Sequence, residues 1–187
     1  MSLLSQSTLA NKVSISGVGI HTGKTVNLNI LPSSPNSGII FKRIDLKFNN
    51  IVVPNFENVS EATLCTTISN NYGVKVSTIE HLMASFLGLG IDNAIVEVDS
   101  QEIPILDGSA KNFVKILKEV GLKYSDVPIK IIKINNHVEF QEGDKYISLD
   151  KSNTTLDIEF EINYKNKLIR NQKNKVNIFE DKLEDIY

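Results

Sequence analysis

The sequence predicts an α+β fold in which strands come first and helices follow. Up to about residue 75, β-branched residues alternate with polar ones between glycine, proline and serine, a pattern typical of strands. From Ser77 onward, the apolar residues instead recur at helical spacing. Beyond about residue 126 the strand pattern returns. We therefore expect strands and helices in the first part of the chain, and strands again in the second.

The first predicted strands flank a glycine-rich turn, SGVGIHTGKT, which is followed by TVNLNI. In the second stretch Val26, Leu28 and Ile30 alternate with polar residues at strand spacing. A P-loop requires glycine where Val18 stands, and the dinucleotide fingerprint requires its third glycine where Thr22 stands. Both motifs also need a helix directly after the loop. We therefore interpret the segment as strand, turn and strand, and not as a phosphate-binding loop.

An amphipathic helix is predicted over residues 77–88. Its apolar residues follow one stripe at positions i, i+3, i+4, i+7 and i+8: Ile79, Leu82, Met83, Phe86 and Leu87. Ser77, with Glu80 three residues later, predicts a capping box at the start of the helix, and Gly88 and Gly90 predict its end.

The opposite face of this helix carries small, uncharged residues around His81, namely Ala84, Ser85 and Gly88. A face turned to solvent normally carries charged side chains, whereas small residues let a second helix approach closely. We therefore expect this helix to be packed on both sides. A strand, NAIVEVDS, and a second helix over residues 110–120 are predicted next.

The stretch LKYSDVP, with its polar residues and proline, is typical of a linker. It predicts one domain over residues 1–125 and a second over residues 126–187. In the second domain, strands are predicted at IKIIKI and TLDIEFEINY, a hairpin around Gly143, and the first turns of a helix over residues 178–187. A domain of strands with only the beginning of a helix is expected to be incomplete.

Composition places the chain among ordinary globular proteins, with 41% hydrophobic and 22% charged residues. The net charge is −2 and no basic run occurs, so we expect no nucleic-acid partner. No apolar stretch approaches the roughly 18 residues of a membrane span, and the N-terminus is unlike a secretory signal. The single cysteine, Cys65, excludes an internal disulfide and fits a reducing compartment. These observations predict a cytoplasmic protein.

The chain has three histidines, at positions 21, 81 and 137, whereas a zinc site needs three or four ligands. No helical H-E-x-x-H or H-x-x-E-H pattern surrounds His81. A capping box alone explains Glu80, and an exposed surface position would explain His81, although the small residues around His81 weaken this second interpretation. From the residue pattern alone, the adjacent pair Glu80 and His81 therefore remains either structural or catalytic.

The stretches SGVGIHTGKTVNLNILP, LCTTI and STIEHLMASFLGLGIDNAIVEVDSQEIPILDGSAKNFV resemble the UDP-3-O-acyl-N-acetylglucosamine deacetylases of lipid A synthesis. The resemblance runs collinearly over about residues 7–121 and more weakly to the end. It implies two related domains, each with a strand layer and a helix layer, whose helices face one another with catalytic zinc between them. The second of these domains is expected to be incomplete.

The resemblance also implies roles for single residues. His81 corresponds to one zinc ligand, and Glu80 to the general base that acts on zinc-bound water. The implied reaction removes acetate from the 2-amide of UDP-3-O-acyl-N-acetylglucosamine. Leu64 and Cys65 match a segment that lines the substrate site, although Cys65 is also explained as a small buried hydrophobe.

Two further residues are implied near the site. Asp107, in ILDGSA, matches an acidic residue near the catalytic machinery, and an Asp-Gly turn explains it equally well. His21, in the glycine-rich turn, is expected to border the active-site cleft.

The remaining family residues have no match in this chain: the oxyanion-stabilising threonine, the other zinc ligands and the proton-donating histidine. His137 matches none of them. The sequence therefore predicts a C-terminally truncated member with one protein ligand for zinc, and a complementary chain is a possible partner. The alternative is a catalytically inactive fragment, or the N-terminal half of a split enzyme, that acts as a binding module.

Overall fold

A computed structural model describes residues 5–152 and 156–177 of the chain. The residues group into two units, one that ends at Ile129 and one that starts at Lys130. The α+β class expected from the sequence is confirmed. The division into independently folding domains at residues 125 and 126, and their expected relationship to each other, stay predictions.

The first unit combines many short strands with two α-helices. In chain order, its strands are β1 (Ser5–Leu9), β2 (Val13–Val18), β3 (Thr25–Pro32), β4 (Ile39–Arg43), β5 (Ile51–Val52), β6 (Val59–Glu61), β7 (Thr67–Ser69), β8 (Lys75–Val76), β9 (Ala94–Val98) and β10 (Leu122–Pro128). The helices are α1 (Glu80–Leu89) and α2 (Lys111–Val120). Each has ten residues, and no helix of the described ranges is long and apolar enough to cross a membrane.

A five-stranded sheet forms the body of this unit, in the order β2-β3-β9-β4-β5. The pair β4 and β9 is parallel, and the other neighbours are antiparallel. Val26, Leu28 and Ile30 of β3 are fully buried, as their alternation predicted. The apolar stripes of α1 and α2, including Phe86 and Phe113, join the same hydrophobic core. The helices therefore cover a sheet whose inner face is apolar.

The start of α1 differs from the prediction. The helix begins at Glu80 instead of near Ser77, and no side chain caps it. The Ser77 hydroxyl instead donates a hydrogen bond to the carbonyl of Gln101. The expected capping box is therefore wrong, because the β8 end pairs with the segment around residue 101 before the helix begins. The helix ends at Gly90, whose φ of 68° lies in the left-handed region that glycine favours.

The two-sided packing of α1 is seen in part. Ser85, on the small-residue face, is fully buried, and its hydroxyl donates to the carbonyl of His81 one turn earlier and to that of Ala110 at the start of α2. Ala84 on the same face is exposed. The helix α2 therefore covers one side of this face and leaves the other open.

The linker interpretation of residues 122–128 is wrong, because this segment forms β10 and pairs with β1 in antiparallel register. The pairing brings the first strand of the chain against the end of the first unit, with the amide of Ala10 donating to the carbonyl of Gly121. Polar residues and a proline occur here because β10 is half-exposed, with alternating exposed and partly covered side chains. A third, small sheet has the order β6-β7-β8.

The second unit consists, in its described residues, of two hairpins. The first joins β11 (Val138–Glu142) to β12 (Lys145–Leu149) through a turn at Gly143, whose φ is 60°, and confirms the expected hairpin. The second joins β13 (Asp157–Asn163) to β14 (Asn171–Asn177). The strand expected at TLDIEFEINY is thus confirmed.

Two features of this part of the chain differ from the sequence prediction. Strand β14 was not predicted, because its sequence NQKNKVN is polar; the ion pair of Lys173 with Glu159, at 2.7 Å, joins it to β13. The stretch IKIIKI forms no strand, and its Ile131 and Ile132 are exposed. The helix expected over residues 178–187 lies outside the described residues.

The first testable prediction concerns His137, beside β11. Its Nδ1 lies 2.7 Å from a carboxylate oxygen of Asp150 and its Nε2 lies 3.2 Å from one of Glu139. Asp150 first, and Glu139 second, raise the pKa of His137 above its usual value of 6.5. Protonated His137 therefore stabilises the hairpin below pH 6.5, and this stabilisation is lost as the pH rises through the higher pKa of the folded state.

Asp150→Asn is expected to lower the pKa of His137 towards its usual value, as followed by NMR titration of the ring protons. Asp144→Asn, in the turn at the opposite end of the hairpin, is the control that leaves the titration unchanged. An unaltered His137 titration in Asp150→Asn contradicts the prediction.

Candidate catalytic site at the start of the first helix

Glu80 and His81 are the first two residues of α1, and their side chains lie beside each other. The distance from a carboxylate oxygen of Glu80 to Nε2 of His81 is 4.0 Å. The side chain of Glu80 is 36% exposed and that of His81 is 28% exposed. Both groups are thus held at the helix start while remaining accessible to a ligand from solvent.

The second carboxylate oxygen of Glu80 accepts a hydrogen bond of 2.9 Å from the backbone amide of Thr66. This contact joins α1 to the segment before β7 and fixes the orientation of the carboxylate. Within the described residues, the other carboxylate oxygen of Glu80 has only the imidazole of His81 nearby as a possible donor. One carboxylate oxygen of Glu80 is thus anchored to the backbone, and the other faces the accessible imidazole of His81.

Leu64 and Cys65 directly precede Thr66 and are thereby brought close to Glu80 in the chain path. Leu64 is 82% exposed and is therefore accessible from solvent. Cys65 is partly buried, with its sulfur 3.7 Å from the hydroxyl of Thr67. The structure therefore connects the expected substrate segment to Glu80 through one backbone hydrogen bond.

Asp107 lies in a turn before α2. Its carboxylate accepts hydrogen bonds from the amide and the hydroxyl of Ser109, and the Ser109 hydroxyl in turn accepts from the amide of Lys111. Gly108, with a φ of 81°, completes the turn. The turn interpretation of Asp107 is therefore realised in the structure, and its carboxylate stays exposed, so a role at the site remains a prediction.

The glycine-rich turn carries His21, whose side chain is exposed. The turn closes through the amide of Gly19, which donates to the carbonyl of Lys24, and the amide of Gly23, which donates to that of Gly19. The amides of His21 and Thr22 point instead at a single buried carboxylate, that of Glu102, each at 2.9 Å. Backbone amides that converge in this way form an anion-binding site called a nest. The anion bound in this turn is the carboxylate of Glu102, a residue of the protein itself.

Sequence reasoning did not identify Glu102. It is fully buried, and besides the two amides it accepts a hydrogen bond of 3.2 Å from the hydroxyl of Thr78. Its partners in the turn lie about 80 residues earlier in the chain, so no local pattern around SQEIP indicates them. An isolated glutamate between a turn and a proline resembles an ordinary exposed residue when only the sequence is known.

The pKa of Glu102 is lowered from its usual value. Burial is the largest single influence and opposes this shift, because it disfavours the charged form. The hydrogen bonds from the His21 amide, from the amide and hydroxyl of Thr22 and from Thr78 together outweigh it. Glu102 is therefore ionised at neutral pH, and the dipoles of the two backbone amides stabilise its negative charge.

The described residues do not by themselves make a zinc site. In residues 5–152 and 156–177 there is no group of three or more His, Cys, Asp and Glu side chains that could hold a metal ion. His81, with Glu80 beside it, offers one imidazole in an accessible position. A zinc ion bound here needs further ligands.

Comparison with known proteins agrees with the resemblance noted in the sequence. The family model of UDP-3-O-acyl N-acetylglycosamine deacetylase (LpxC) matches residues 6–186. A UDP-3-O-acyl-N-acetylglucosamine deacetylase of Shewanella baltica is 45% identical over 147 residues, which cover 79% of this chain and 48% of that protein. Its namesake in Shewanella violacea is 42% identical over 167 residues, which cover 89% and 54%.

The similarity also extends to Shewanella oneidensis, whose UDP-3-O-acyl-N-acetylglucosamine deacetylase is 44% identical over 147 residues. The chain spans about half the length of the curated relatives that it matches. The family match covers nearly all of this chain, including α1 and the glycine-rich turn. The chain therefore belongs to the LpxC family of UDP-3-O-acyl N-acetylglycosamine deacetylases.

Proposed function

We propose that this chain is part of a zinc-dependent hydrolase that removes the N-acetyl group of UDP-3-O-acyl-N-acetylglucosamine in lipid A synthesis. The observation that carries this proposal is the pair at the start of α1, in which Glu80 is anchored by the Thr66 amide with its free oxygen 4.0 Å from Nε2 of His81. Family membership supplies the reaction class and the substrate named in the relatives.

In this proposal Glu80 is the general base. Its free carboxylate oxygen accepts a proton from the water that attacks the acetyl carbonyl, while the bond from Thr66 holds the other oxygen in place. The anchoring matters because proton transfer requires the base within hydrogen-bond reach of the water. An accessible carboxylate at a helix start meets this requirement without a large movement.

His81 would contribute one ligand to the zinc ion, through its exposed ring. When bound, zinc supplies Lewis-acid chemistry that polarises an amide carbonyl and acidifies water. The other ligands would come from residues outside the described ranges or from a complementary chain. A zinc site assembled in this way is expected to bind weakly when only this chain is present.

The substrate is proposed to lie along the exposed surface next to this pair. Leu64 and Cys65 are proposed to contact it because they precede Thr66, whose amide bonds to Glu80, and His21, exposed on the glycine-rich turn, is a third candidate. Asp107 is the fourth candidate, in the turn before α2. A nucleotide-sugar substrate, together with a single free cysteine, supports a cytoplasmic location.

A second function is favoured by one observation, the absence of any three-ligand cluster in the part of the chain that the structure describes. In that case the chain binds the nucleotide sugar or a partner through the open side of α1 and does not turn it over. The two proposals differ in what the chain does when the remaining ligands are supplied.

The deciding experiment measures zinc affinity and deacetylation for the chain alone and for the chain mixed with the C-terminal half of the Shewanella baltica relative. We expect turnover only in the mixture, and a loss of about 10²–10⁴-fold in Glu80→Gln. Glu119→Gln, an exposed glutamate on α2, is the matched control without effect. Binding of the nucleotide sugar without turnover in any mixture favours the second function.

A further inference from the structure

Glu102 connects two segments that carry candidate site residues. One carboxylate oxygen accepts from the amide of His21 and from the hydroxyl of Thr78, and the other accepts from the amide of Thr22. The glycine-rich turn is thereby joined to the residue that stands two positions before Glu80. These donors converge on one fully buried side chain.

Thr78 occupies an unusual backbone conformation. Its φ of 58° lies in the left-handed region, which is sparsely populated for β-branched residues and costs free energy. Such a residue persists only when its surroundings hold it in place. Here the hydroxyl of buried Thr78 donates to Glu102, and the neighbouring backbone is held by the amide of Ser77, which donates to Gln101, and that of Ile103, which donates to Ser77.

The conformation of Thr78 decides where α1 begins. The chain runs along the segment 101–103 up to Ser77, turns at Thr78 and enters the helix at Glu80. A change of φ at Thr78 would swing the first helical turn, and with it the side chains of Glu80 and His81. No side chain caps α1, and besides Thr78 its start is held by Thr66, whose amide donates to Glu80 and whose carbonyl accepts from the amide of Ile79.

We infer that Glu102 is a positioning residue for the catalytic pair: its buried carboxylate fills the amide nest of the glycine-rich turn and holds Thr78 in the conformation that starts α1. The inference rests on the proposed function for the meaning of the pair Glu80 and His81. The inference adds to the proposed function that the amides of His21 and Thr22 bind the carboxylate of Glu102. The diphosphate of a nucleotide-sugar substrate is therefore excluded from these two amides.

The test uses the whole chain and two NMR readouts that require neither zinc nor turnover. In Glu102→Gln we expect the amides of His21 and Thr22 to exchange with solvent about tenfold faster or more, because they lose a charged acceptor. The ring signals of His81 are expected to shift in the same variant. Glu102→Asp, which keeps the charge, is expected to restore the exchange protection in part, and the control Glu119→Gln is expected to change neither readout.

Thr78→Val tests the link to the helix with a milder change, since it removes only the hydroxyl that reaches Glu102 and keeps the shape of the side chain. The inference predicts shifted His81 signals in this variant too. If Glu102→Gln and Thr78→Val both leave the His81 signals and the His21 and Thr22 exchange unchanged, Glu102 is not a positioning residue. If Glu102→Gln does not fold, Thr78→Val alone decides by the same His81 signals.

The outcome is separable from that of the proposed function. Changed His81 signals together with no turnover in the complemented mixture would leave the positioning role intact and remove the deacetylase assignment. Turnover that depends on Glu80, combined with unchanged His81 signals in Thr78→Val and Glu102→Gln, would keep the deacetylase and overturn the positioning role.

Discussion

Replacing Phe86 by alanine is expected to lower the free energy of unfolding of the first unit by about 3–5 kcal/mol. Phe86 lies on α1 and is 1% exposed, within the core that joins both helices to the central sheet. Truncation removes the apolar contacts of a whole ring and leaves a cavity that close-packed neighbours fill only in part. Chemical denaturation followed by far-UV circular dichroism measures the change.

The matched control is the next residue on the same helix, Leu87, which is 57% exposed. Leu87→Ala removes apolar atoms from the same helix and retains its helix propensity, so it is expected to change the unfolding free energy by about 0.5 kcal/mol or less. Equal losses in the two variants would contradict the assignment of the buried face of α1. The comparison also bears on the site, because the same packing holds the helix that begins with Glu80 and His81.

The apolar residues recur in the sequence at the spacing that places them in the core, and this spacing predicted the strands and helices. Val26, Leu28 and Ile30 point to one face of β3, and Leu82 and Phe86 to one face of α1, so the apolar spacing in the sequence is the spacing of the core. The helix boundary was harder to predict. Ser77 and Glu80 fit a capping box, yet their side chains bond to Gln101 and Thr66, residues that only the tertiary fold brings near.

The candidate site likewise contains residues that the sequence indicates and supporting residues that only the tertiary structure reveals. Adjacency in the chain makes Glu80 and His81 recognisable as a pair, and family resemblance gives them roles. Their supports are contributed by distant segments: Thr66 anchors Glu80, and Glu102 bonds to the turn of His21 and to Thr78. A single sequence carries no mark of such contacts, because any glutamate or threonine could make them.

The failed prediction of a linker at residues 122–128 has a related cause. Polar residues with a proline are typical of linkers, but they also occur on strands whose outer face is exposed. Strand β10 alternates exposed and partly covered positions, and its partner β1 lies more than 110 residues earlier. Only the pairing with β1 distinguishes the two possibilities.

The glycine-rich turn shows how spacing and structure complement each other. The spacing of its glycines argued against a phosphate loop, and the structure places the carboxylate of Glu102 on the amides of His21 and Thr22. Gly19 is required here because of close approach: a Cβ atom built on it would clash with a carboxylate oxygen of Glu102 and would lie 2.6 Å from the hydroxyl of Thr22. No other residue type leaves that space empty.

Gly19→Ala is therefore expected to displace the Glu102 carboxylate and to lower the free energy of unfolding by about 2–4 kcal/mol, since hydrogen bonds to a buried charge are lost. Gly23→Ala in the same turn separates this effect from backbone strain. Gly23 has a φ of 64° and open space around it, so alanine there meets only the conformational cost of about 1–2 kcal/mol. Denaturant unfolding of both variants supplies the comparison.

A double-mutant cycle then identifies the partner. If Gly19→Ala acts by pushing the carboxylate away, it should cost much less once Glu102 has been shortened to alanine, with a coupling energy of about 1–3 kcal/mol. The Gly23→Ala change, which meets no atom of Glu102, should add independently to Glu102→Ala. Strict additivity of Gly19→Ala with Glu102→Ala would mean that the turn tolerates a Cβ atom at Gly19 without moving the carboxylate. The buried anion would then not be what dictates glycine at this position.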